Sequence, residues 1–154
     1  MTNRANPDAI RRLREAFAAN RDRRILALGT TCAGKSTFAK EFPEALDQDE
    51  LCWARLAPPL RDALAAGDWS PANAEAWAAH VRAVMAAHRI EPGRPVFGTE
   101  LTDCDVIVYL KVGEATLRER AALRGIPYET AALHDARIRE AVAGSGIEAI
   151  EVDA

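Results

Sequence analysis

The stretch Gly29-Thr30-Thr31-Cys32-Ala33-Gly34-Lys35-Ser36 decides how this chain is read. It meets every fixed position of the phosphate-loop pattern G-x-x-x-x-G-K-[ST]. The pattern carries meaning only where a strand enters it and a helix leaves it. Upstream, Arg24 to Leu28 is a short apolar run suited to a buried parallel strand. Downstream, Lys35 to Phe42 reads as a helix with Phe38 and Phe42 one turn apart. Gly29 and Gly34 free the backbone to turn successive N–H groups into one concavity, and the helix N-terminus adds partial positive charge there. The expectation is a nucleoside triphosphate site spanning Gly29, Thr30, Thr31, Cys32, Ala33, Gly34, Lys35, Ser36 and Thr37. Lys35 would reach the β and γ phosphates, and the Ser36 hydroxyl would ligate Mg²⁺.

Working outward, Asn6-Pro7 caps and starts a helix running to about Asn20, with Ile10, Leu13 and Phe17 on one face. Arg21, Arg23 and Arg24 follow as a solvated basic cluster at the strand end away from the loop. Beyond the loop, Pro43 ends the second helix and a short strand near Ala45-Leu46 ends at Asp47. Asp49 reads as the cap of a helix from Glu50 to Leu56, and Pro58-Pro59 precedes a helical piece from Leu60 to Ala66. Ser70-Pro71 opens a longer helix whose stripe includes Ala74, Trp77, Val81, Met85 and His88, with Trp77 and Met85 read as core. Val96-Phe97 is a third strand ending at Gly98-Thr99-Glu100, and Val106 to Leu110 is the strongest strand in the chain. Two helices, Gly113 to Arg124 and Thr130 to Ala143, the latter ended by Gly144, precede a last strand from Ile147 to Val152. Strands alternating with helices predict a parallel sheet covered on both faces, with ligands gathered beyond the carboxyl ends of the strands.

At 154 residues the chain is expected to form one domain. A hydrophobic content of 49% with 28% charged residues is that of an ordinary globule. A net charge of −3 makes no global electrostatic case for nucleic acid. No apolar run reaches bilayer length, and Met1 to Asp8 lacks the apolar core of a secretory leader, so a cytoplasmic chain without membrane contact is expected. Cys32, Cys52 and Cys104 are odd in number and widely spaced, against a disulfide framework or zinc site. Cys32 stands apart because loop amides and Lys35 could activate its thiol; the alternative is a small residue that fits the turn.

Around the phosphates, Asp47 and Asp49 can both face the cleft as strand gives way to helix. One would hold Mg²⁺ through water while the other orients or deprotonates an acceptor, with helix capping as the structural alternative for Asp49. Glu100 is a further carboxylate at the third strand's end, or simply an exposed loop residue. Asp105 precedes its strand and belongs to the wrong end of the sheet. Arg120 and Arg124 share one helix face and suit phosphate; Arg118 points elsewhere. Trp53, Arg55 and Arg61 lie in Glu50 to Pro95, the stretch expected to receive an acceptor.

Gly29–Ser36, then Leu46-Asp47-Gln48-Asp49, then Asp105 to Leu110 followed by Leu117-Arg118-Glu119-Arg120, resembles the shikimate/gluconate kinase branch of the P-loop kinases, relatives of the nucleoside monophosphate kinases. The resemblance covers about residues 24–152. It implies a three-layer α/β/α P-loop NTPase fold with a five-stranded parallel sheet in the order 2-3-1-4-5, a lid between the last two helices, and ATP as donor. It further implies Lys35 on the phosphates, Ser36 and Asp47 with Mg²⁺, Asp49 on the acceptor hydroxyl, Arg120 near adenine and Arg124 near the lid. Where shikimate kinases carry a glycine triplet, this sequence reads Gly98-Thr99-Glu100. Those enzymes follow their last strand with a loop and a helix; here Asp153-Ala154 follows it, and helix 7–20 is expected to cover the corresponding face. The function expected is transfer of the γ-phosphate of ATP to a hydroxyl of a small metabolite by a monomer or homodimer. The alternatives are a nucleoside or nucleotide kinase, and a nucleotide-binding switch without transferase activity.

Overall fold

In the computed structural model, which describes residues 5–154, every strand runs in the same direction. Residues 1–4, part of the stretch read for a leader, lie outside the described residues. The central strands are apolar on both faces, as strands sandwiched between helix layers must be. All of β1 (Ile25–Leu28) and β3 (Val96–Gly98) is buried, as is β4 (Val106–Lys111) except for Lys111. With β2 (Leu46–Asp47) and β5 (Glu148–Asp153) they form a sheet ordered β2-β3-β1-β4-β5. This is the expected 2-3-1-4-5 order. Leu28 pairs with Gly98 on one side and Tyr109 on the other, so the carboxyl ends of the central strands lie level.

One face of the sheet carries α1 (Pro7–Ala19), α2 (Lys35–Ala39) and α6 (Glu114–Leu123). Leu13, Phe17, Phe38 and Leu117 meet Ala27, Phe97, Val108 and Val152 in that layer. The other face carries α3 (Gln48–Trp53), α5 (Pro71–Ala87) and most of α7 (Tyr128–Ser145), through Cys52, Val81, Met85 and Ile138. The result is a three-layer α/β/α arrangement. Among the described residues no helix is long and apolar enough to cross a membrane.

Several boundaries differ from the sequence reading, each for a local reason. Asp47, not Asp49, caps α3: its carboxylate accepts from the Asp49 and Glu50 amides at 2.9 and 3.3 Å. Its backbone is still extended there (φ −101°, ψ 117°), so the helix begins one residue later, with Gln48. Pro58 and Pro59 lie inside the first turn of α4 (Pro58–Ala65), where a missing N–H costs nothing. Gly144 lies within α7, and Gly146, left-handed at φ 70°, is the residue that ends it. His88 caps the end of α5 and is exposed, while Trp77 is partly buried, packing against the edge of the core and touching the rings of Trp53 and Trp69.

The lid implied by the family resemblance is reduced to a turn, residues 124–127. Gly125 is left-handed (φ 67°), its amide donates to the Ala122 carbonyl, and the Ile126 amide donates to that of Ala121. This is the paired-bond stop of a Schellman motif, and Pro127 then prevents the helix from resuming. With so little chain between them, α6 and α7 pack as a hairpin. The basic cluster before β1 is also less solvated than expected, because Arg24 pairs with Asp103 at 2.6 Å and with Asp105 at 3.0 Å. Arg23 joins it by bonding Glu148 at 2.5 Å, so this end of the sheet is held by charge pairs.

Candidate active site

The loop between β1 and α2 owes its shape to residues that tolerate close approach. A Cβ on Gly29 would come within 2.9 Å of the Ala33 Cβ and 3.1 Å of the Leu110 Cβ. Gly34 sits at φ 88° immediately before α2. Cys32 also has positive φ, at 68°, the single non-glycine to do so among the described residues. Its side chain is buried, which removes it from the exposed environment a reactive thiol needs. All three cysteines are free.

Lys35 begins α2 and folds back over the loop, its Nζ donating to the Thr30 carbonyl at 2.5 Å. Burial pushes its ammonium down to about 8, against the opposing pull of Asp49 and Asp47. Ser36 is exposed and Thr37 partly so, both in the first turn of α2. Arg120 reaches across from α6, with a guanidinium nitrogen 3.4 Å from the Cys32 carbonyl. Arg124, one turn on, is close enough for its charge to act on both Lys35 and Asp49. Arg118 turns away to Glu114 at 2.9 Å and to the face of Tyr128, 3.8 Å from its centroid.

On the far side of the loop, Asp49 is partly buried and its Oδ1 has no hydrogen-bond partner. Burial raises its pKa above the ordinary carboxylate range, with Lys35 acting in the other direction. Asp47 is occupied by the cap of α3, so it is tied into the backbone as well as facing this region. Glu100 is partly buried and raised by burial, with Arg82 opposing and Glu75 and Asp49 reinforcing the rise.

The residues expected from the sequence to receive an acceptor are brought together only in part. Trp53 lies one turn along α3 from Asp49, its ring 6.1 Å from that of Trp77, which in turn lies 6.3 Å from Trp69. Arg55, in the turn after α3, is exposed and bonds back to that helix through the Leu51 carbonyl at 2.9 Å. Arg61, on α4, forms no ion pair among the described residues.

Two residues that the sequence reading passed over are central. Gln48 is fully buried, and its amide accepts from the Thr99 and Glu100 N–H groups at 3.0 and 3.1 Å. It also donates to the Glu100 carbonyl at 3.1 Å, locking the end of β3 to the start of α3. Its place between Asp47 and Asp49 was the one available signal. His134, on α7, lies over the loop with Nδ1 3.3 Å from the Thr31 nitrogen and 3.2 Å from Thr30 Oγ1. Nothing in its local sequence announces that contact.

No model of a known protein family matches this chain. A search of curated protein sequences likewise found no match.

Proposed function

We propose that this chain is a P-loop phosphotransferase of the shikimate/gluconate kinase-like type, moving the γ-phosphate of ATP to a hydroxyl of a small metabolite. The observation that carries the reading is the convergence of Lys35, Arg120 and Arg124 with Asp49 around one glycine-bounded loop at the carboxyl ends of the strands. Phosphoryl transfer needs cations for the spreading charge and a carboxylate facing the incoming hydroxyl, and little covalent chemistry from the protein. Lys35 would hold the β and γ phosphates, the loop amides the bridging oxygens, and Arg120 and Arg124 the outer face of the triphosphate.

Mg²⁺ needs few protein ligands when phosphates and water complete its octahedron. The Ser36 hydroxyl with the Asp47 carboxylate suits that requirement, and the unpartnered Asp49 Oδ1 is the feature that calls for an acceptor hydroxyl. When bound there, the ion would supply positive charge against the triphosphate. Asp49 would orient the acceptor hydroxyl and take its proton.

With Arg55 bonded back onto α3 and Asp49 and Glu100 on the acceptor side, an anionic acceptor has less support than a neutral polyol. ADP release measured over a panel of hydroxylated metabolites and nucleosides tests the assignment. A single stimulating metabolite supports it, a nucleoside would favour the nucleoside-kinase alternative, and none across both panels would leave a nucleotide-binding switch. Asp49→Asn should keep nucleotide affinity within about twofold and lower turnover by about 10²-fold or more. Undiminished turnover in that variant would remove Asp49 from the chemistry.

A further inference from the structure

The hairpin formed by α6 and α7 lays α7 directly on the loop, and two hydrogen bonds fasten it there. Thr30 Oγ1 donates to the Ala131 carbonyl at 2.9 Å, and the Thr31 N–H donates to His134 Nδ1 at 3.3 Å. The second bond requires an unprotonated Nδ1, so the ring is neutral with its proton on Nε2. Nδ1 is also 3.2 Å from Thr30 Oγ1, whose own proton is directed at Ala131. A proton on Nδ1 would therefore face the Thr31 N–H as a like donor and find its acceptor in Thr30 Oγ1. One nitrogen thus has two neighbouring partners, one for each protonation state.

We propose that His134 is a positioning residue for nucleotide, pinning the Thr31 end of the loop while neutral and releasing that amide when protonated. The proposal rests on reading the loop as a nucleotide site. Binding to a preformed loop avoids the cost of ordering it, so losing the pin weakens affinity without removing any phosphate contact. The groups whose charge or polarity acts on the ring are Lys35 from α2, the Thr99 main chain just after β3, and Asp135 and Arg137 from α7 itself. Burial, then Lys35, hold the imidazole below its ordinary value, with Thr99 and Asp135 opposing and Arg137 reinforcing. The sign follows: the neutral ring persists throughout the neutral range, and the pin is lost as pH falls through the lowered value.

The test compares wild type with His134→Asn, whose side-chain oxygen can replace Nδ1 as acceptor without titrating, and with His134→Ala, which has no acceptor. ADP affinity is measured by calorimetry from pH 5 to 8, and Thr31 amide exchange by NMR on the nucleotide-free proteins. At pH 7.5 the Asn variant should bind ADP like wild type and the Ala variant about tenfold more weakly, the loss of one hydrogen bond. On acidification wild-type affinity should fall and the Asn variant should not follow it. Thr31 exchange should be slow in wild type at neutral pH, faster in acid than the intrinsic rate change allows, and fast throughout in the Ala variant. Equal affinity in the Ala variant overturns the proposal. So does an Asn variant as weak as Ala, or a wild type that binds more tightly in acid, which would make the ring a cation for phosphate. Thr31 protection that tracks His134 without ADP binding at any pH would support the pin and remove the functional reading. ADP binding with Thr31 exchange indifferent to residue 134 would do the reverse.

Discussion

Cys32 occupies a left-handed backbone conformation that a side chain reaches only at a cost of about 1 kcal/mol. Its burial among the apolar residues of the α1 face offsets part of that strain. Substitution separates the two effects. Cys32→Ala keeps a Cβ and therefore the strain, whereas Cys32→Gly relieves it. The glycine variant should be the more stable of the pair by about 1 kcal/mol, read from urea midpoints at equal m-value. An alanine variant equal to or above glycine would show that the loop relaxes without strain.

Gln48 shows how one side chain joins two elements. It satisfies three backbone groups at the end of β3, two donors and one acceptor, from a fully buried position at the start of α3. Gly98 makes room for it: a Cβ there would stand 2.4 Å from Gln48 Oε1 and 2.5 Å from its Cδ. Gln48→Ala leaves those groups without their partner, and Gly98→Ala forces the same side chain out of place. Each should cost about 2–3 kcal/mol. The double variant should cost little more than either alone, because both remove one interaction. Chemical denaturation of the four proteins closes that cycle, and simple additivity would show that Gly98 serves something other than Gln48.

Across the whole molecule, α1 supplies the cover that β5 and the β1–β3 region need on one face. Phe17 meets Phe42 edge-on at 5.0 Å and Phe97 at 5.9 Å, beneath Ala9, Leu13 and Ala16. Phe17→Ala should cost about 3–4 kcal/mol, the usual penalty for emptying a buried aromatic site. Thermal or urea denaturation measures it, and a loss below about 1 kcal/mol would mean that α1 is only loosely attached. The charge pairs of Arg24 with Asp103 and Asp105 close the opposite end of the sheet from the loop. Loop, arginines and carboxylates are therefore free to gather at the carboxyl end.

Local chemistry written into the sequence determined the strands, the glycine-bounded loop and the helix that leaves it. Apolar runs of strand length and glycine spacing act over a few residues and need no distant partner. The strand order was legible only through the family resemblance carried by those motifs, since periodicity does not say which strand lies beside which. The tertiary structure decided the cap of α3, where Asp47 rather than Asp49 meets the free amides because Gln48 is drawn into the core. It also decided that Arg120 reaches the Cys32 carbonyl of the loop and that His134 rests on Thr31. Those contacts join residues about 90 to 100 positions apart in the chain, brought together by the direct α6–α7 turn and the register of a parallel sheet.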